Sequence, residues 1–260
     1  MSFDGHAETP RVLLLLVLLI GIGTSAAAEK PIEIGLPGWS AIIEPETLSV
    51  RARINGQPEL LAAAGAPHAV ESVTRAEQSA SWTIPALGIA AKFTVHENRL
   101  HARFESSRDQ TFEWPRTGED RNLLALILPE GEGLYVPLAD AAWRGRLSGQ
   151  CFTAYGRLSM SFWSYWTQSG TFTYQVISDI RTELCTSDRN GRIAATGRHE
   201  FLDRDQRPAY ELEMWAGGPS PIASAIEYRE GLVGAGQFVP LTEKIRTNPE
   251  VSLPLDYGRR

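Results

Sequence analysis

Residues 157–185 read RLSMSFWSYWTQSGTFTYQVISDIRTELC, and this stretch sets the expectation for the fold of the whole chain. It is dense in β-branched and aromatic residues that follow a period of two. Alternation of this kind is typical of β-strands. The pattern breaks only at Gln168-Ser169-Gly170, which are turn-forming residues. The stretch therefore predicts consecutive strands separated by one turn.

Alternating segments of the same kind lie on both sides of this stretch. Leu48–Ile54 alternates apolar and polar residues and ends at Asn55-Gly56, a pair that favours a two-residue hairpin turn. A second hairpin is predicted around Glu97-Asn98, and Asp188–Gly191 is a further turn signal. Tyr210–Trp215 is a clean alternating strand. Strands that recur about every ten residues, with few helical patterns between them, predict an all-β antiparallel sandwich.

The pattern changes to helical spacing after Gly217-Gly218. Ser220 is a suitable N-cap, and Pro221 is a suitable first helical residue. Apolar residues then recur at helical spacing until Gly234, where glycine is typical of a helix end. A second short helix is predicted over Leu241–Thr247. The sandwich is therefore expected to carry a short C-terminal helical tail.

The first 28 residues have the composition of a secretory signal peptide. Arg11 supplies the positive end, Val12–Ile22 supplies a short apolar core, and Ala26-Ala27-Ala28 supplies small residues for cleavage. The core is too short to span a bilayer comfortably. We therefore expect cleavage after Ala28 and a secreted or periplasmic protein, with an uncleaved anchor as the alternative.

The remaining chain is expected to form a β-sandwich domain over residues 29–218 and a helical tail or linker over residues 219–260. With 260 residues in all, the chain is long enough to bury a sizeable core. The formal net charge is -6, and no basic stripe is present to neutralise phosphates. These features argue against nucleic acid as a partner, and no membrane contact is expected once the signal peptide is removed.

Cys151 and Cys185 are the two cysteines of the chain. In an oxidising compartment they could form a disulfide across a loop of about 35 residues, which would stabilise the fold by roughly 3–4 kcal/mol. They could equally be two separate buried thiols, because the sequence does not show whether their Cα atoms approach within bridging distance. Both interpretations stay open at this point.

The stretch Leu123–Asp140, LLALILPEGEGLYVPLAD, contains the first candidates for chemistry. An apolar run ends at an acidic, glycine-rich corner that carries Glu130 and Glu132, and the chain resumes in apolar residues before Asp140. Paired carboxylates are what glycoside hydrolysis requires. However, a flexible corner holds catalytic geometry poorly. We therefore interpret the corner as a solvated turn or a contact loop, with ligand or domain contacts as the testable role.

Aromatic residues supply the second set of candidates. Alternation places Phe162 and Ser164 on one face of a strand, and Trp163 and Tyr165 on the other. One face must belong to the core, and the other could pack internally or form a carbohydrate-stacking surface. Trp163, Tyr165 and Trp166 are therefore contact candidates.

The two histidines around the predicted Glu97-Asn98 turn are His96 and His101. Their spacing is not the helical H-E-x-x-H arrangement of zinc proteases, and no third ligand is evident nearby. A solvated cross-strand pair is the better interpretation. The sequence also lacks a nucleophile elbow, a P-loop, a dinucleotide-binding fingerprint and a Cys-x-x-Cys pair. It therefore predicts no metal site, no cofactor and no catalytic residue.

The order of three segments carries a family resemblance. LPEGEGLYVPLAD is followed by RLSMSFWSYWTQSGTFTYQV, and then by a strand, Gly217-Gly218, Ser220-Pro221, a helix with Tyr228-Arg229, and Glu243-Lys244-Ile245. This order resembles the N-terminal β-sandwich region of endo-α-N-acetylgalactosaminidase-like glycoside hydrolases, families 101 and 129 and their relatives. The resemblance covers most of the chain after the signal peptide, and most clearly residues 123–251.

The resemblance implies a large sandwich of the galactose-mutarotase-like type that precedes a (β/α)8 barrel. In the family the catalytic carboxylates are expected in the barrel, and the resemblance implies that this chain ends at about where the barrel would begin. No catalytic residue therefore carries over to a position in this sequence.

Three functional hypotheses follow. The first is an exported, non-catalytic β-sandwich domain of a glycoside-hydrolase-like protein, truncated before its barrel, with a carbohydrate or a barrel domain as its partner. The second is a stand-alone carbohydrate-binding module. The third is a small sugar-active enzyme that uses Glu130, Glu132 or Asp140.

Overall fold

The structure is a computed structural model that describes residues 29–54, 57–178 and 180–248. The predicted signal peptide, the predicted turn at Asn55-Gly56 and residues 249–260 lie outside the described residues. Among the residues that are described, no helix is long and apolar enough to cross a membrane.

The described chain is built mainly from antiparallel strands. In chain order these are β1 (Ile32–Leu36), β2 (Trp39–Glu44), β3 (Ser49–Ile54), β4 (Gln57–Ala62), β5 (Glu71–Ala76), β6 (Ser79–Ile84), β7 (Ile89–His96), β8 (Arg99–Ser106), β9 (Gln110–Thr117), β10 (Ala125–Leu128), β11 (Leu134–Pro137), β12 (Cys151–Thr153), β13 (Phe162–Trp166), β14 (Thr171–Val176), β15 (Thr182–Arg189), β16 (Arg192–Phe201) and β17 (Tyr210–Gly217). The helices are α1 (Ala141–Leu147), α2 (Ala223–Gly234) and α3 (Leu241–Thr247), with a 3-10 turn at Asp203–Asp205.

These strands form three sheets. The large sheet has nine strands in the order β11-β10-β13-β14-β17-β8-β7-β6-β5. The first small sheet has four strands in the order β1-β2-β3-β4, and the second small sheet has four in the order β12-β15-β16-β9. The backbone N–H of Ala63, just after β4, donates to the carbonyl of Arg116 on β9 at 2.8 Å, so the two small sheets adjoin.

The adjoining small sheets together pack against one face of the large sheet. The ring of Trp39 on β2 meets Phe172 on β14 edge-on at 5.5 Å. Phe104 on β8 lies 4.8 Å from Trp114 on β9. Large buried rings from both layers therefore fill one core, and the predicted all-β sandwich is confirmed.

Local sequence signals account for most of the elements. The turn between β7 and β8 places Glu97 and Asn98 at positive φ, as the predicted hairpin requires. The turn between β15 and β16 does the same with Asn190 and Gly191. The short helical tail is also confirmed, because α3 spans the predicted residues and α2 ends at Gly234. However, α2 begins at Ala223, two residues after the predicted start at Pro221.

Two expectations about strand boundaries were wrong. Residues 157–185 break twice rather than once, because the chain leaves the large sheet after β14 and enters the second small sheet at β15. Residues 157–161 also precede β13 rather than belonging to it. A change of sheet needs irregular backbone between the two strands. The alternation within β14 and β15 does not reveal that the two strands belong to different sheets.

Helix α1 was not predicted. It begins after Asp140, whose side chain accepts a hydrogen bond from the backbone N–H of Trp143 at 3.0 Å. This is an N-cap interaction, which satisfies an otherwise unpaired helical donor. The helix has only seven residues, too few for a clear helical period in the sequence.

Candidate functional site

The acidic corner joins β10 and β11, which pair as an antiparallel hairpin. The carboxylate of Glu130 accepts hydrogen bonds from Nε and Nη2 of Arg157, at 3.2 and 3.1 Å. Glu130 also forms an isolated backbone bridge with Leu158. The guanidinium of Arg157 lies 4.2 Å over the ring of Phe152 and donates to the carbonyl of Cys151 at 2.9 Å. Glu130 therefore helps to fix the segment that precedes β13.

The other two carboxylates belong to different surroundings. Glu132 is exposed on the turn between Gly131 and Gly133, both of which have positive φ. Asp140 is exposed and caps α1 through Trp143. The three acidic candidates thus lie in separate environments: an ion pair, an open turn and a helix cap.

The three aromatic candidates also lie in different environments, two in the core and one on the outer face of the large sheet. Trp163 and Tyr165 are 0% exposed, so their candidate role as ligand contacts is corrected: both are core residues. Trp163 stacks on Tyr174 at 5.0 Å, and the hydroxyl of Tyr165 lies 3.0 Å from Thr117 Oγ1. Burial raises the pKa of Tyr165 well above its ordinary value. The alternation placed these two rings on one face correctly, and that face is the inner one.

Trp166 differs from them because it lies on the outer face and is half-buried. Its Nε1 donates to the carbonyl of Pro219 at 2.8 Å, which fixes the segment before α2. The exposed ring of Tyr135 lies 6.2 Å from the Trp166 ring. Among the aromatic candidates, Trp166 is therefore the one within reach of a surface ligand.

The outer face of the large sheet carries a charged cluster from β7, β8 and β17, which we call the ionic face; its members are His96, Arg99, His101, Arg103, Glu211 and Glu213. Glu213 accepts from Arg99 at 2.9 Å and lies 3.6 Å from His96 Nδ1. Glu211 pairs with Arg103 and lies 3.8 Å from His101 Nε2. Each carboxylate therefore already has an arginine partner on the neighbouring strand β8.

The two histidines of the ionic face do not form the expected cross-strand pair. His96 is opposite Arg99, whereas His101 is opposite Thr94 on one side and Glu213 on the other. Burial lowers the pKa of His101, and the nearby Glu213 opposes this effect. Strand pairing between β8 and β17, which are far apart in the chain, brings the carboxylates to the histidines. Residue spacing around the hairpin could not show that contact.

Cys151 and Cys185 are directly opposite each other on β12 and β15 and form a disulfide, with Cα atoms 4.1 Å apart. Glu183 lies close to both sulfur atoms. This trio is the one convergence of potential metal ligands in the described part of the chain. Because the sulfur atoms are bonded to each other, the trio does not offer a pair of free thiolates.

One buried carboxylate was missed in the sequence. Glu59 on β4 is 9% exposed, and burial raises the pKa of its carboxyl group, with the charge of Asp120 acting in the same direction. The hydroxyl of Ser169 opposes this shift through a hydrogen bond. The only sequence signal was an acidic residue within an otherwise apolar strand segment, PELLA.

Neither a protein-family model nor a curated protein sequence matches this chain. Solved structures do match. In its complex with GalNAc, the α-N-acetylgalactosaminidase NagBb from Bifidobacterium bifidum superposes with a TM-score of 0.66 and 10% sequence identity, over 84% of this chain and 41% of the enzyme chain. The ligand-free enzyme and its complex with Gal-NHAc-DNJ each give a TM-score of 0.64 at 9% identity, with the same coverage.

The predicted resemblance to α-N-acetylgalactosaminidase-like glycoside hydrolases is thereby confirmed at the level of the fold. This chain spans about two fifths of the length of NagBb, so the larger part of that enzyme has no counterpart in it.

Proposed function

We propose that this protein is an exported, carbohydrate-associated β-sandwich domain of the glycoside-hydrolase type, without a catalytic site of its own. The supporting observation is the structural match, which includes 84% of this chain but only 41% of an α-N-acetylgalactosaminidase. A (β/α)8 barrel domain, in the same protein or in a separate chain, is the partner that would supply catalysis.

The environments of the candidate carboxylates support the non-catalytic part of this proposal. Glu130 is held by Arg157, and Asp140 caps α1. Catalytic carboxylates of glycosidases face each other across a space for the sugar, at about 5–9.5 Å. Glu130 and Asp140 instead already serve an ion pair and a helix cap. The alternative of a small sugar-active enzyme then depends on Glu132 alone.

Helix α2 provides a surface that fits a domain partner. Its inner side packs on the large sheet through Ala223, Ser224 and Tyr228. Its outer side exposes Ile222, Ile226 and Val233, which lie four and seven positions apart. This spacing places them on one stripe of the helix. Exposed Arg229 and Glu230 lie between Ile226 and Val233, so this side of α2 offers a domain partner both apolar and charged contacts.

Three measurements on the purified exported chain test the proposal. We expect binding on a glycan array and no hydrolysis of an aryl α-N-acetylgalactosaminide, together with a mature N-terminus at Glu29. Glu132→Gln should leave the binding unchanged. The matched control is Glu97→Gln, which changes an exposed glutamate on another hairpin turn.

Turnover that Glu132→Gln abolishes and Glu97→Gln preserves would establish the enzyme alternative instead. An absence of glycan binding would reject the carbohydrate association.

A further inference from the structure

A cleft of about 460 Å³ lies on the outer face of the second small sheet. Glu183 on β15 and Arg198 on β16 are directly opposite each other within it and form an ion pair with an N–O distance of 2.6 Å. A second ion pair joins Arg181 Nε to Asp205 Oδ2 at 3.0 Å. Charged groups are thus already oriented along the cleft before any ligand is bound.

Tyr155 lies at the border of this cleft and is 76% exposed. Its turn is firmly held, because the backbone N–H groups of Arg157 and Leu158 both bond to the carbonyl of Thr153, at 3.3 and 3.2 Å. The N–H of Ala154 also donates to the carbonyl of Thr182 on β15 at 2.9 Å. A large apolar ring is therefore kept in water on an anchored turn, where burial within the fold does not explain it.

We propose that this cleft binds a neutral glycan, with the ring of Tyr155 as the stacking platform and the two arginine–carboxylate pairs as hydrogen-bonding groups for hydroxyls. The inference rests on the proposed function, since it assigns a site to the carbohydrate association. A sugar has apolar C–H faces and a dense set of donors and acceptors, so it needs an aromatic ring beside oriented polar groups. The cleft volume falls within the usual range for small-ligand sites, about 300–1,000 Å³.

The charge of the cleft selects a neutral glycan over an acidic one. Its lining contains the guanidinium groups of Arg181 and Arg198, and the carboxylates of Glu183, Glu200 and Asp205. Each guanidinium is paired with a carboxylate, and Arg204 beside the cleft lies 3.8 Å from Asp205, so its charge balances that of Glu200. The guanidinium groups of the lining are therefore already paired and are not free to bind the carboxylate of a sialylated or uronic-acid ligand, whereas hydroxyl groups can both donate to the carboxylates and accept from the guanidinium groups.

The test compares four forms of the purified full chain on an array of neutral and acidic glycans, with titration calorimetry on the best neutral ligand. Tyr155→Ala should lower the affinity by at least about ten-fold, which corresponds to 1.4 kcal/mol. Tyr155→Phe should bind like the unaltered protein, because it keeps the ring. Tyr135→Ala is the matched control, as it removes an exposed ring from the large sheet. Thermal melting establishes that each variant is folded.

The outcomes separate this inference from the proposed function. If the unaltered chain binds no glycan, both are rejected. Glycan binding that survives Tyr155→Ala but is lost in Tyr135→Ala would move the site to the surface around Trp166 and overturn the cleft assignment alone. A preference for acidic glycans would overturn the neutral ligand class.

Discussion

At the scale of single residues, His199 is a buried histidine whose neutral form is favoured by burial. It is fully buried on β16, with Nδ1 2.8 Å from Thr182 Oγ1 and Nε2 3.2 Å from the carbonyl of Pro208. Its ring stacks on Tyr210 at 5.0 Å. Burial lowers the pKa of His199 below its ordinary value, and the hydrogen bond to Pro208 and the charge of Glu200 oppose this only in part.

This histidine should make the fold sensitive to mild acid. Below pH 6.5, the ordinary histidine pKa, the unfolded chain binds a proton here, and the folded chain does not until its lower pKa is reached. The free energy of unfolding therefore falls as the pH falls through this window, by up to about 1.4 kcal/mol per pH unit. Denaturant unfolding of His199→Gln between pH 7.5 and 5 should show a shallower decline than the unaltered protein.

His101→Gln is the comparison for this experiment. The pKa of His101 is also lowered by burial, with His96, Arg103 and Lys92 acting in the same direction and Glu213 opposing them. However, 22% of the His101 side chain is exposed, so solvent screens these effects. Its substitution should remove a smaller part of the pH dependence. An unchanged slope in His199→Gln would show that other groups cause the acid sensitivity.

At the scale of elements, α2 packs on the outer face of three neighbouring strands of the large sheet, β13, β14 and β17. Its Ser224 Oγ accepts a hydrogen bond from Thr173 on β14 at 2.8 Å, and Tyr228 packs on Phe162 of β13 at 5.2 Å. Glu227 accepts from Trp215 Nε1 at 2.7 Å and from the backbone N–H of Gly218 at 3.1 Å. Because α2 covers the outer side of the large sheet here, most residues of β13 and β14 are buried on both faces.

Glu227 should be the polar anchor of this helix. In Glu227→Ala, the donors of Trp215 and Gly218 lose their acceptor, so the free energy of unfolding should fall by about 1–3 kcal/mol. Hydrogen exchange of the α2 amides should accelerate in parallel. Glu230→Ala removes an exposed glutamate from the same helix and should stay within about 0.5 kcal/mol. Equal behaviour of the two variants would show that the apolar contacts hold α2 without Glu227.

At the scale of the whole molecule, buried tyrosine hydroxyls connect the two layers. Tyr174 on the large sheet donates to the carbonyl of Leu61 at 2.8 Å, and Tyr210 donates to the carbonyl of Trp114 at 2.7 Å. Leu61 lies at an irregularity in β4, because Leu60 and Ala62 pair with the consecutive residues Arg51 and Val50. The bulged residue of such an irregularity has no partner in the ladder. Tyr174 thus supplies from the opposite layer the hydrogen bond that β3 does not.

Removing this hydroxyl should weaken the sandwich without changing its shape. We expect Tyr174→Phe to reduce the free energy of unfolding by about 1–3 kcal/mol, since a buried carbonyl loses its donor. Tyr135→Phe, on an exposed ring, should have almost no effect. Denaturant titration of both variants checks this expectation. A Tyr174→Phe variant as stable as the unaltered chain would mean that Leu61 finds another donor.

The sequence by itself determined the local features of this protein. Alternation predicts strands, and pairs such as Glu97-Asn98 and Asn190-Gly191 predict turns, because these signals depend on residues that are adjacent in the chain. The order of strands and helical tail also predicted the family resemblance that the structural match supports at the level of the fold.

The tertiary structure alone decided what each face and each candidate residue does. Alternation shows that Trp163 and Tyr165 share a face, but only the opposite layer makes that face the core. Likewise, the partner of Glu130 is Arg157, 27 positions away, and the cleft beside Tyr155 depends on β15 and β16. Burial and charge pairing depend on what packs across the layers. That is a property of distant segments brought together, so no local pattern contains it.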